Sequence, residues 1–452
     1  MTDTIVAVAT APGRGGIGIV RVSGPKVPEV ALGLIGELPP PRHAVNRAFR
    51  NDRGEALDRG LALYFPAPGS YTGESVLELH GHGAPWALSA IVERALELGA
   101  RPARPGEFSE RAFLNGKLDL AQAEALADLI SAGSAGAARA ALRSLEGEFS
   151  ARVDSILERL TALRTEIEAG IDFSDEALEL AAMSALDVRA GDLVADLEAL
   201  AREAEQGRLL RDGVVVVLAG RPNAGKSSLM NRLAGHEAAI VTAIPGTTRD
   251  VLREHVSVDG LPVELVDTAG LAESPEPIEA EGIRRARTVM DRADLILYLV
   301  DASDPAARTS LIADVKTLPE VPVTVLFNKC DLLSEAQSRS VAAEGARLPA
   351  PALLVSAHTG TGLEALKRRL LEISGYAPGA GGTFSARRRH LDALSRTAAH
   401  VSAARRELAR TGAQELAAEE LRLAQESLGE VTGRMTSEDL LGRIFSEFCI
   451  GK

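Results

Sequence analysis

The pattern of hydrophobic and polar residues changes three times along the chain, and each change predicts a domain boundary. Residues 1–117 contain apolar runs of strand length at 4–9, 17–22 and 75–79, separated by glycine and proline, which is typical of mixed α/β structure. Residues 118–212 have helical periodicity, and residues 213–374 alternate β-rich apolar runs with helical segments. Residues 383–452 are helical again, so four regions are predicted.

The helical regions predict several long amphipathic helices. Apolar residues mark one helix over 118–129 and a longer, single helix over 142–167. The segment 171–174 interrupts the pattern, which resumes over 186–200. Beyond a glycine-rich linker at 375–382, helices are predicted over 391–408 and 416–428, and a third begins at Thr436.

The two helical regions flank residues 213–374 on both sides. The economical inference is one helical domain built from residues 118–212 and 383–452, into which the α/β domain 213–374 is inserted. Separate helical bundles remain possible. The N-terminal α/β domain, residues 1–117, precedes both.

Composition narrows the class of protein. With 452 residues, 46% of them hydrophobic and 25% charged, the chain is globular and multidomain. Fifty basic against 63 acidic side chains give a net charge of −13, so any RNA contact needs a local basic patch or a partner. Two cysteines fit a reducing compartment, and no stretch approaches the roughly twenty apolar residues of a membrane span. We therefore expect a cytoplasmic protein with no membrane partner.

The segment from Val214 to Met230 predicts a phosphate-binding loop. A β-rich run at 214–219 leads into Gly-Arg-Pro-Asn-Ala-Gly-Lys-Ser at 220–227, and helical spacing follows, which is the strand, loop, helix order of a P-loop. Loop N–H groups would bind the phosphates, Lys226 would reach the terminal phosphates, and the Ser227 hydroxyl would ligate Mg²⁺. The predicted loop contacts are Asn223, Ala224, Gly225, Lys226, Ser227 and Ser228.

Two further motifs select guanine and predict a GTPase. Asp331 can accept hydrogen bonds from N1–H and the exocyclic amine of guanine, and Asn328 can pair near the base oxygen. These motifs are Asn328, Lys329, Cys330 and Asp331, then Ser356, Ala357 and His358. Together with the phosphate motifs they predict a Ras-like P-loop GTPase domain, so the predicted fold class is multidomain α/β plus all-α.

The switch motifs predict the metal sites. Asp267 ends a strand where it can hold Mg²⁺ through water, and it begins the motif Asp267, Thr268, Ala269 and Gly270. Leu271 follows where Ras-like enzymes have glutamine, so water positioning and charge neutralisation must come from elsewhere. The second switch segment is Thr242, Ala243, Ile244, Pro245, Gly246, Thr247 and Thr248. Thr248 is the candidate for Mg²⁺, and a K⁺ ion could be held by Asn223, Thr242, Ile244 and Thr247; an ordinary switch loop is the alternative.

Two other motifs attract a functional interpretation that their context does not favour. Residues 13–18 match G-x-G-x-x-G, but a β-type run follows Gly18, so a structural hairpin or a ligand-approach loop is favoured over a dinucleotide site. The motif His-Gly-His-Gly at 80–83 has no third ligand at an interpretable spacing. We therefore predict a tight turn there and no metal.

With these residues assembled, the whole chain resembles the MnmE (TrmE) family of tRNA modification GTPases. The resemblance rests on the P-loop with Asn223, on the segment 246–250, and on three further motifs, and its specificity comes from the N-terminal motif and the C-terminal end, which small GTPases do not share. Those three are Pro12–Gly18, Pro105–Phe113 and the terminal Phe448–Lys452.

The resemblance implies a homodimer joined through the N-terminal domain and K⁺-dependent approach of the GTPase domains. It implies work with the FAD-dependent partner MnmG on carbon five of the wobble uridine of tRNA, to add an aminomethyl or carboxymethylaminomethyl group. The one-carbon unit would come from 5-formyl- or methylene-tetrahydrofolate, held by Arg21, Glu78, Lys117 and Lys452. Glu279 matches the family's water-orienting glutamate, with Glu281 as its neighbouring competitor. Cys449 matches the C-terminal cysteine needed for modification, and Lys226 completes the predicted catalytic residues.

Two alternative functions share the nucleotide motifs. A ribosome-assembly or signalling GTPase with RNA- or protein-binding flanking domains would not bind folate. A GTP-driven scaffold would leave all tRNA chemistry to its partner. The segment Arg387–His390 is a candidate tRNA contact, and a solvated helix start is an equal alternative.

Overall fold

The computed structural model describes residues 3–172, 180–236, 252–267, 287–377, 384–411, 413–435, 438–446 and 448–451. It contains two compact units. Unit 1 comprises Met1–Ala127, Ser150–Ala190 and Ala399–Lys452, and unit 2 comprises Asp128–Phe149 and Gly191–Ala398. Each unit therefore combines segments that are distant in the sequence. The boundaries of the four domains inferred from the sequence stay predictions.

An N-terminal sheet organises the first part of unit 1. Its strand order is β3-β4-β5-β2-β1-β6, and all its pairs are antiparallel except β1 with β6. Phe49, Leu77 and Leu79 are fully buried on one face, under helices α1 (Val27–Ile35) and α2 (Pro85–Glu97). The predicted strands at 4–9, 17–22 and 75–79 correspond to β1, β2 and β5. The strands are Ile5–Val8 (β1), Gly15–Ser23 (β2), Val45–Arg50 (β3), Ala56–Phe65 (β4), Val76–Gly83 (β5) and Arg101–Pro102 (β6).

The prediction of a tight turn at residues 80–83 is wrong, because these residues extend β5. The glycines make room for neighbouring atoms: a Cβ at Gly81 would lie 2.4 Å from Asp58 Oδ2, and one at Gly83 would lie 2.6 Å from the Gly15 carbonyl oxygen. His82 donates its backbone N–H to Asp58 (2.7 Å), and its ring lies 2.8 Å from the same carboxylate. Among the described residues, no cluster of three metal-ligating side chains occurs.

The helices follow the predicted periodicity with one correction. The predicted single helix over 142–167 is two helices, α5 and α6, because the chain breaks at Gly147, whose φ is +92°. The apolar stripe of α6 from Phe149 to Ile167 is buried as predicted. The helices are Val27–Ile35 (α1), Pro85–Glu97 (α2), Glu107–Leu114 (α3), Leu120–Ser131 (α4), Ala135–Leu145 (α5), Glu148–Asp172 (α6), Leu180–Asp212 (α7), Lys226–His236 (α8), Pro305–Lys316 (α9), Glu335–Gly345 (α10), Leu363–Ser374 (α11), Arg388–Thr411 (α12), Gln414–Thr432 (α13) and Glu438–Ser446 (α14).

A second sheet lies in unit 2, with the strand order β12-β11-β10-β7-β9-β8. All its pairs are parallel except β8 with β9, and the alternation of β-rich and helical segments over 213–374 predicts such a mainly parallel sheet. An Asp-Gly pair between two short β-rich runs predicts a hairpin, and Asp259 and Gly260 form that turn with φ values of +48° and +93°. Its strands are Val214–Gly220 (β7), Leu252–Val258 (β8), Leu261–Asp267 (β9), Leu295–Asp301 (β10), Val323–Asn328 (β11) and Ala352–Leu354 (β12).

None of the helices in the described part of the chain is both long enough and apolar enough to cross a membrane.

Candidate nucleotide site and N-terminal ligand site

The loop between β7 and α8 depends on two glycines. Gly220 has a φ of +136°, and a Cβ there would lie 2.3 Å from the Leu299 carbonyl oxygen. Gly225 has a φ of +95°, and its Cβ would lie 2.2 Å from Asn328 Nδ2. Any other residue would therefore push the loop away from β10 or from β11. The glycines hold the loop at the carboxyl ends of these parallel strands.

The side chain of Lys226 lies inside this loop. Its Nζ donates to the carbonyl oxygens of Gly220 (2.9 Å) and Arg221 (3.1 Å). Burial lowers the pKa of Lys226, and the negative charge of Asp267 opposes that shift. The ammonium group is thus positioned for phosphate oxygens by the loop's own backbone.

Ser227 and Asp267, which the sequence predicts to hold Mg²⁺, are in direct contact. Ser227 Oγ donates to Asp267 Oδ2 at 3.1 Å, and Asp267 is fully buried at the end of β9. A hydroxyl and a carboxylate are hard oxygen ligands that suit Mg²⁺. Asn223 and Ser228 lie exposed at the loop, and Asn223 has a φ of +63°.

Asn328 connects the phosphate loop to the base-recognition loops. Its Nδ2 donates to the Ala224 carbonyl oxygen (2.8 Å), and its Oδ1 accepts from the Ala357 N–H (3.0 Å). The amide therefore connects two of the loops that the sequence predicts to bind nucleotide, and Asp331 in one of these loops is exposed. Pairing of Asn328 near the guanine oxygen stays a prediction.

The other residues of the two base-recognition motifs differ in burial and in their partners. Lys329 Nζ pairs with Asp301 Oδ2 at 2.6 Å, and this carboxylate is also held by the hydroxyl of Ser303 (2.6 Å). Burial, followed by the charge of Asp331, raises the pKa of the Cys330 thiol, so Cys330 stays protonated. Ser356 is fully buried and His358 is exposed.

A second polar cluster lies on the N-terminal sheet. Arg21 on β2 pairs with Glu78 Oε1 on β5 through Nε and Nη2, both at 2.9 Å. His80 Nε2 lies 3.1 Å from the other Glu78 oxygen. The guanidinium carbon of Arg21 also lies 5.4 Å from the ring centre of Tyr71 and 5.7 Å from that of Phe108. A carboxylate, a guanidinium and two aromatic rings therefore converge at one place.

The C-terminal segment reaches the same domain. Ile450 forms a β-bridge with Pro105, and the Gly106 N–H donates to the Cys449 carbonyl oxygen at 3.3 Å. A Cβ at Gly451 would lie 2.2 Å from a carbonyl oxygen of β1. The Cys449 thiol is exposed. The two ends of the chain thus meet in unit 1.

Comparisons with known proteins show which family the chain belongs to. The family model described as the MnmE helical domain matches residues 120–449, and the model of the TrmE N-terminus matches residues 4–117. The tRNA modification GTPase MnmE of Alkalilimnicola ehrlichii is 55% identical over 450 residues, and the match covers 99% of each chain. MnmE of Stutzerimonas stutzeri is 54% identical over 455 residues, covering 100% of this chain and 99% of the relative. Among solved structures, the G domain of the T. maritima FeoB iron transporter is 29% identical over 36% of this chain and 98% of its own, with a TM-score of 0.28.

The chain belongs to the MnmE family of tRNA modification GTPases.

Membership of the MnmE family confirms the predicted fold class and the predicted enzyme. The chain is a GTPase that acts in tRNA modification, with a TrmE N-terminal domain followed by an MnmE helical domain. A GTPase of this family uses GTP and Mg²⁺, which the Ser227 and Asp267 geometry accommodates.

Part of the MnmE-type site predicted from the sequence lies outside the described residues. This applies to the switch segment, to the residues after Asp267, to the water-orienting glutamate and to the chain end. They are Thr242, Ala243, Ile244, Pro245, Gly246, Thr247, Thr248, Thr268, Ala269, Gly270, Glu279 and Lys452.

The residues implied for folate by the MnmE resemblance lie in different surroundings. Arg21 and Glu78 are in direct contact. Lys117 Nζ instead donates to the Pro68 carbonyl oxygen at 3.2 Å.

The MnmE motif Pro105–Phe113 contains a buried ion network that sequence reasoning did not find. Arg111 is fully buried and pairs with Glu74 (2.9 Å), Glu107 (3.1 Å) and Asp3 (2.9 Å). Arg101 pairs with the same Glu107 (2.5 Å) and with Asp3 (2.5 Å). The only sequence signal was the unusual charge of Glu107 and Arg111 on the apolar face of α3, spaced four residues apart.

The network determines the ionisation of Glu107. Burial on its own would raise the pKa of this carboxyl. Hydrogen bonds from Arg101, from the Arg104 backbone N–H and from Arg111 outweigh burial and lower the pKa to about 2. Glu107 is therefore ionised at neutral pH and stabilises the N-terminal domain of this MnmE protein.

Two residues of the segment Arg387–His390 make internal contacts in unit 2, whereas Arg388 is exposed. Arg387 pairs with the buried Asp128 at 2.9 Å, and His390 is buried with its ring 5.2 Å from that of Phe149. These two residues are not on a free tRNA-binding surface, which corrects that part of the interpretation. In this member of the MnmE family, their contacts hold the chain at the start of α12.

Proposed function

We propose that this GTPase modifies carbon five of the wobble uridine of tRNA together with an FAD-dependent partner, MnmG, by using a one-carbon unit from tetrahydrofolate. GTP hydrolysis would drive a K⁺-dependent approach of two GTPase domains in a homodimer, and the reaction would take place in the cytoplasm. The relatives named tRNA modification GTPase MnmE support the proposal.

The observation that carries the folate part is the cluster of Arg21, Glu78 and Tyr71 on the N-terminal sheet. A pterin offers adjacent N–H donors that suit a carboxylate, and the glutamate tail of folate suits a guanidinium or an ammonium group. Aromatic rings supply the apolar surface that a flat heterocycle needs. The C-terminal segment, seated against Pro105 and Gly106, would bring Lys452 to the same domain.

In the nucleotide site, each proposed role belongs to a named residue, and the switch segment would contribute backbone carbonyls as well as hydroxyls. Lys226 would contact the terminal phosphates, and Asp331 would accept the donors of guanine. Ser227, Thr248 and Asp267 would hold Mg²⁺, which neutralises phosphate charge when bound. Glu279 would orient the attacking water, and Asn223, Thr242, Ile244 and Thr247 would hold K⁺. The MnmE-type cysteine Cys449 would take part in modification.

The folate proposal is tested by equilibrium titration of the full-length protein with 5-formyltetrahydrofolate. We expect binding by the wild type and a loss of roughly 10- to 100-fold in affinity for Arg21→Ala, because a hydrogen bond to a charged group is worth about 1.5–3 kcal/mol. Arg47→Ala, which removes an exposed arginine paired with Glu37 in the same domain, is the matched control and should bind normally. No binding by the wild type would favour the ribosome-assembly or signalling alternative.

The K⁺ proposal is tested separately by GTP hydrolysis rates in potassium and sodium chloride at equal ionic strength. We expect faster hydrolysis in potassium. Equal rates in the two salts would refute the K⁺ site without affecting the folate proposal.

A further inference from the structure

The residue after the first glycine of the P-loop, Arg221, has an anchored side chain. Its Nε lies 3.1 Å from Asp314 Oδ2 and its Nη2 lies 3.3 Å from Asp314 Oδ1, so the guanidinium group forms a two-point contact with the carboxylate. Asp314 lies in the last turn of α9. The side chain of Arg221 is 51% exposed, so packing does not fix it and the ion pair does.

The carboxylate of Asp314 is itself held from the sheet. Tyr298 on β10 donates its hydroxyl to Asp314 Oδ2 at 3.0 Å, and the Ser310 hydroxyl lies 3.4 Å from the same oxygen. Burial and the nearby Asp314 raise the pKa of Tyr298 to about 12, so the phenol stays a donor at neutral pH. Tyr298 pairs in register with Ala219, next to the P-loop. Tyr298, Asp314 and Arg221 therefore form a chain of contacts, which we name the Arg221 anchor.

The Arg221 anchor acts on the backbone that holds the phosphate-binding lysine. The Arg221 carbonyl oxygen accepts from Lys226 Nζ at 3.1 Å and from the Ala224 N–H at 3.3 Å. Movement of Arg221 would therefore shift the position of the lysine and the turn of the loop together. The backbone N–H groups of a loop bind phosphate tightly only when the loop already has its binding conformation. Otherwise part of the binding free energy is lost in ordering the loop.

We propose that Arg221 and Asp314 are positioning residues of the nucleotide site, and that the anchor keeps the P-loop in its phosphate-binding conformation. It touches neither the base loops nor Ser227 directly, so it should control nucleotide affinity more than the chemical step. The inference rests on the GTPase activity of the family and is independent of the folate and potassium proposals.

The test measures release of fluorescently labelled GDP from the full-length protein, together with kcat and KM for GTP. Asp314→Asn keeps the shape of the side chain but removes the charge that holds Arg221. We expect GDP release to accelerate and KM to rise by about fivefold, with kcat changed by less than about twofold. Arg221→Gln should give the same change, and the double variant should be no worse than either single variant, because both break one contact.

Glu344→Gln is the matched control. It breaks another arginine–carboxylate pair, in which Arg308 of α9 makes two contacts of 3.0 Å with Glu344 of α10, and it should leave GDP release unchanged. Tyr298→Phe provides a milder version if Asp314→Asn does not fold, and it should accelerate release by a smaller factor. Wild-type release rates for Asp314→Asn, additive effects in the double variant, or equal acceleration by Glu344→Gln would each overturn the proposal.

Discussion

Replacing Glu107 by glutamine tests whether the buried ion network stabilises the N-terminal domain. The variant keeps the shape of the side chain but removes the charge that pairs with the fully buried Arg111 and with Arg101. The pKa of Glu107 is lowered from 4.5 to about 2, and one pKa unit corresponds to about 1.4 kcal/mol. The ionised carboxylate therefore contributes about 3 kcal/mol to the free energy of unfolding at pH 7.

The sign of the pH dependence follows from the lowered pKa. The contribution is fully present above the unfolded-state pKa of 4.5 and is lost as the pH falls towards the folded-state value of about 2. The stability difference between wild type and Glu107→Gln should therefore be about 3 kcal/mol at pH 7 and smaller by about 1 kcal/mol at pH 4.

Hydrogen exchange measured by mass spectrometry provides the assay, because it reports the opening free energy of β1 and α3 without requiring the whole chain to unfold in one step. Glu97→Gln is the matched control, since Glu97 forms an exposed pair with Arg94 in the same domain and should change stability by less than about 0.5 kcal/mol. A loss below about 1 kcal/mol for Glu107→Gln, or a difference that does not shrink at pH 4, would refute the reasoning.

Three further substitutions test individual residues, two in the nucleotide site and one in the interior of unit 2. Asp331→Asn should weaken GTP binding by roughly 100-fold or more, because two charge-assisted hydrogen bonds are lost. The variant should instead favour xanthine nucleotides. Competitive titration with guanine and xanthine nucleotides checks this, and an unchanged preference for guanine would contradict it. Gly225→Ala should abolish binding of labelled GDP, since its Cβ would lie 2.2 Å from Asn328 Nδ2, whereas Gly235→Ala, with no atom within 4 Å of its Cβ, should bind normally. Asp128→Ala should destabilise unit 2 by about 3–5 kcal/mol in urea unfolding, because Arg387 and Arg211 lose the buried carboxylate with which both are paired; a loss under about 1 kcal/mol would argue against this.

The individual motifs of the nucleotide site could be predicted from the sequence because each of them is a run of neighbouring residues. The strand, loop and helix around the P-loop, the hairpin at Asp259 and Gly260, and the parallel order of the second sheet all follow from local patterns. What Asn328 does could not be predicted, because its partners Ala224 and Ala357 lie far from it along the chain. Its amide holds loops together, a role that only the tertiary structure reveals.

The errors have the same physical origin. The local sequence predicts a turn at Gly81 and Gly83, but these glycines are needed because Asp58 and Gly15 approach β5 closely. The apolar spacing predicts one continuous helix across Gly147, but the chain breaks there. The spacing of apolar residues does not indicate that Gly147 has a left-handed backbone conformation. Arg111 and Glu107 have the charge of surface residues and are buried because each satisfies the other.

The central claim, that this GTPase modifies the wobble uridine, is tested most directly by mass spectrometry of tRNA nucleosides from cells that lack the gene. We expect the carbon-five modification of wobble uridine to disappear, to return with the wild-type gene, and to stay absent with Lys226→Ala. Unchanged modification in cells without the gene would contradict the account.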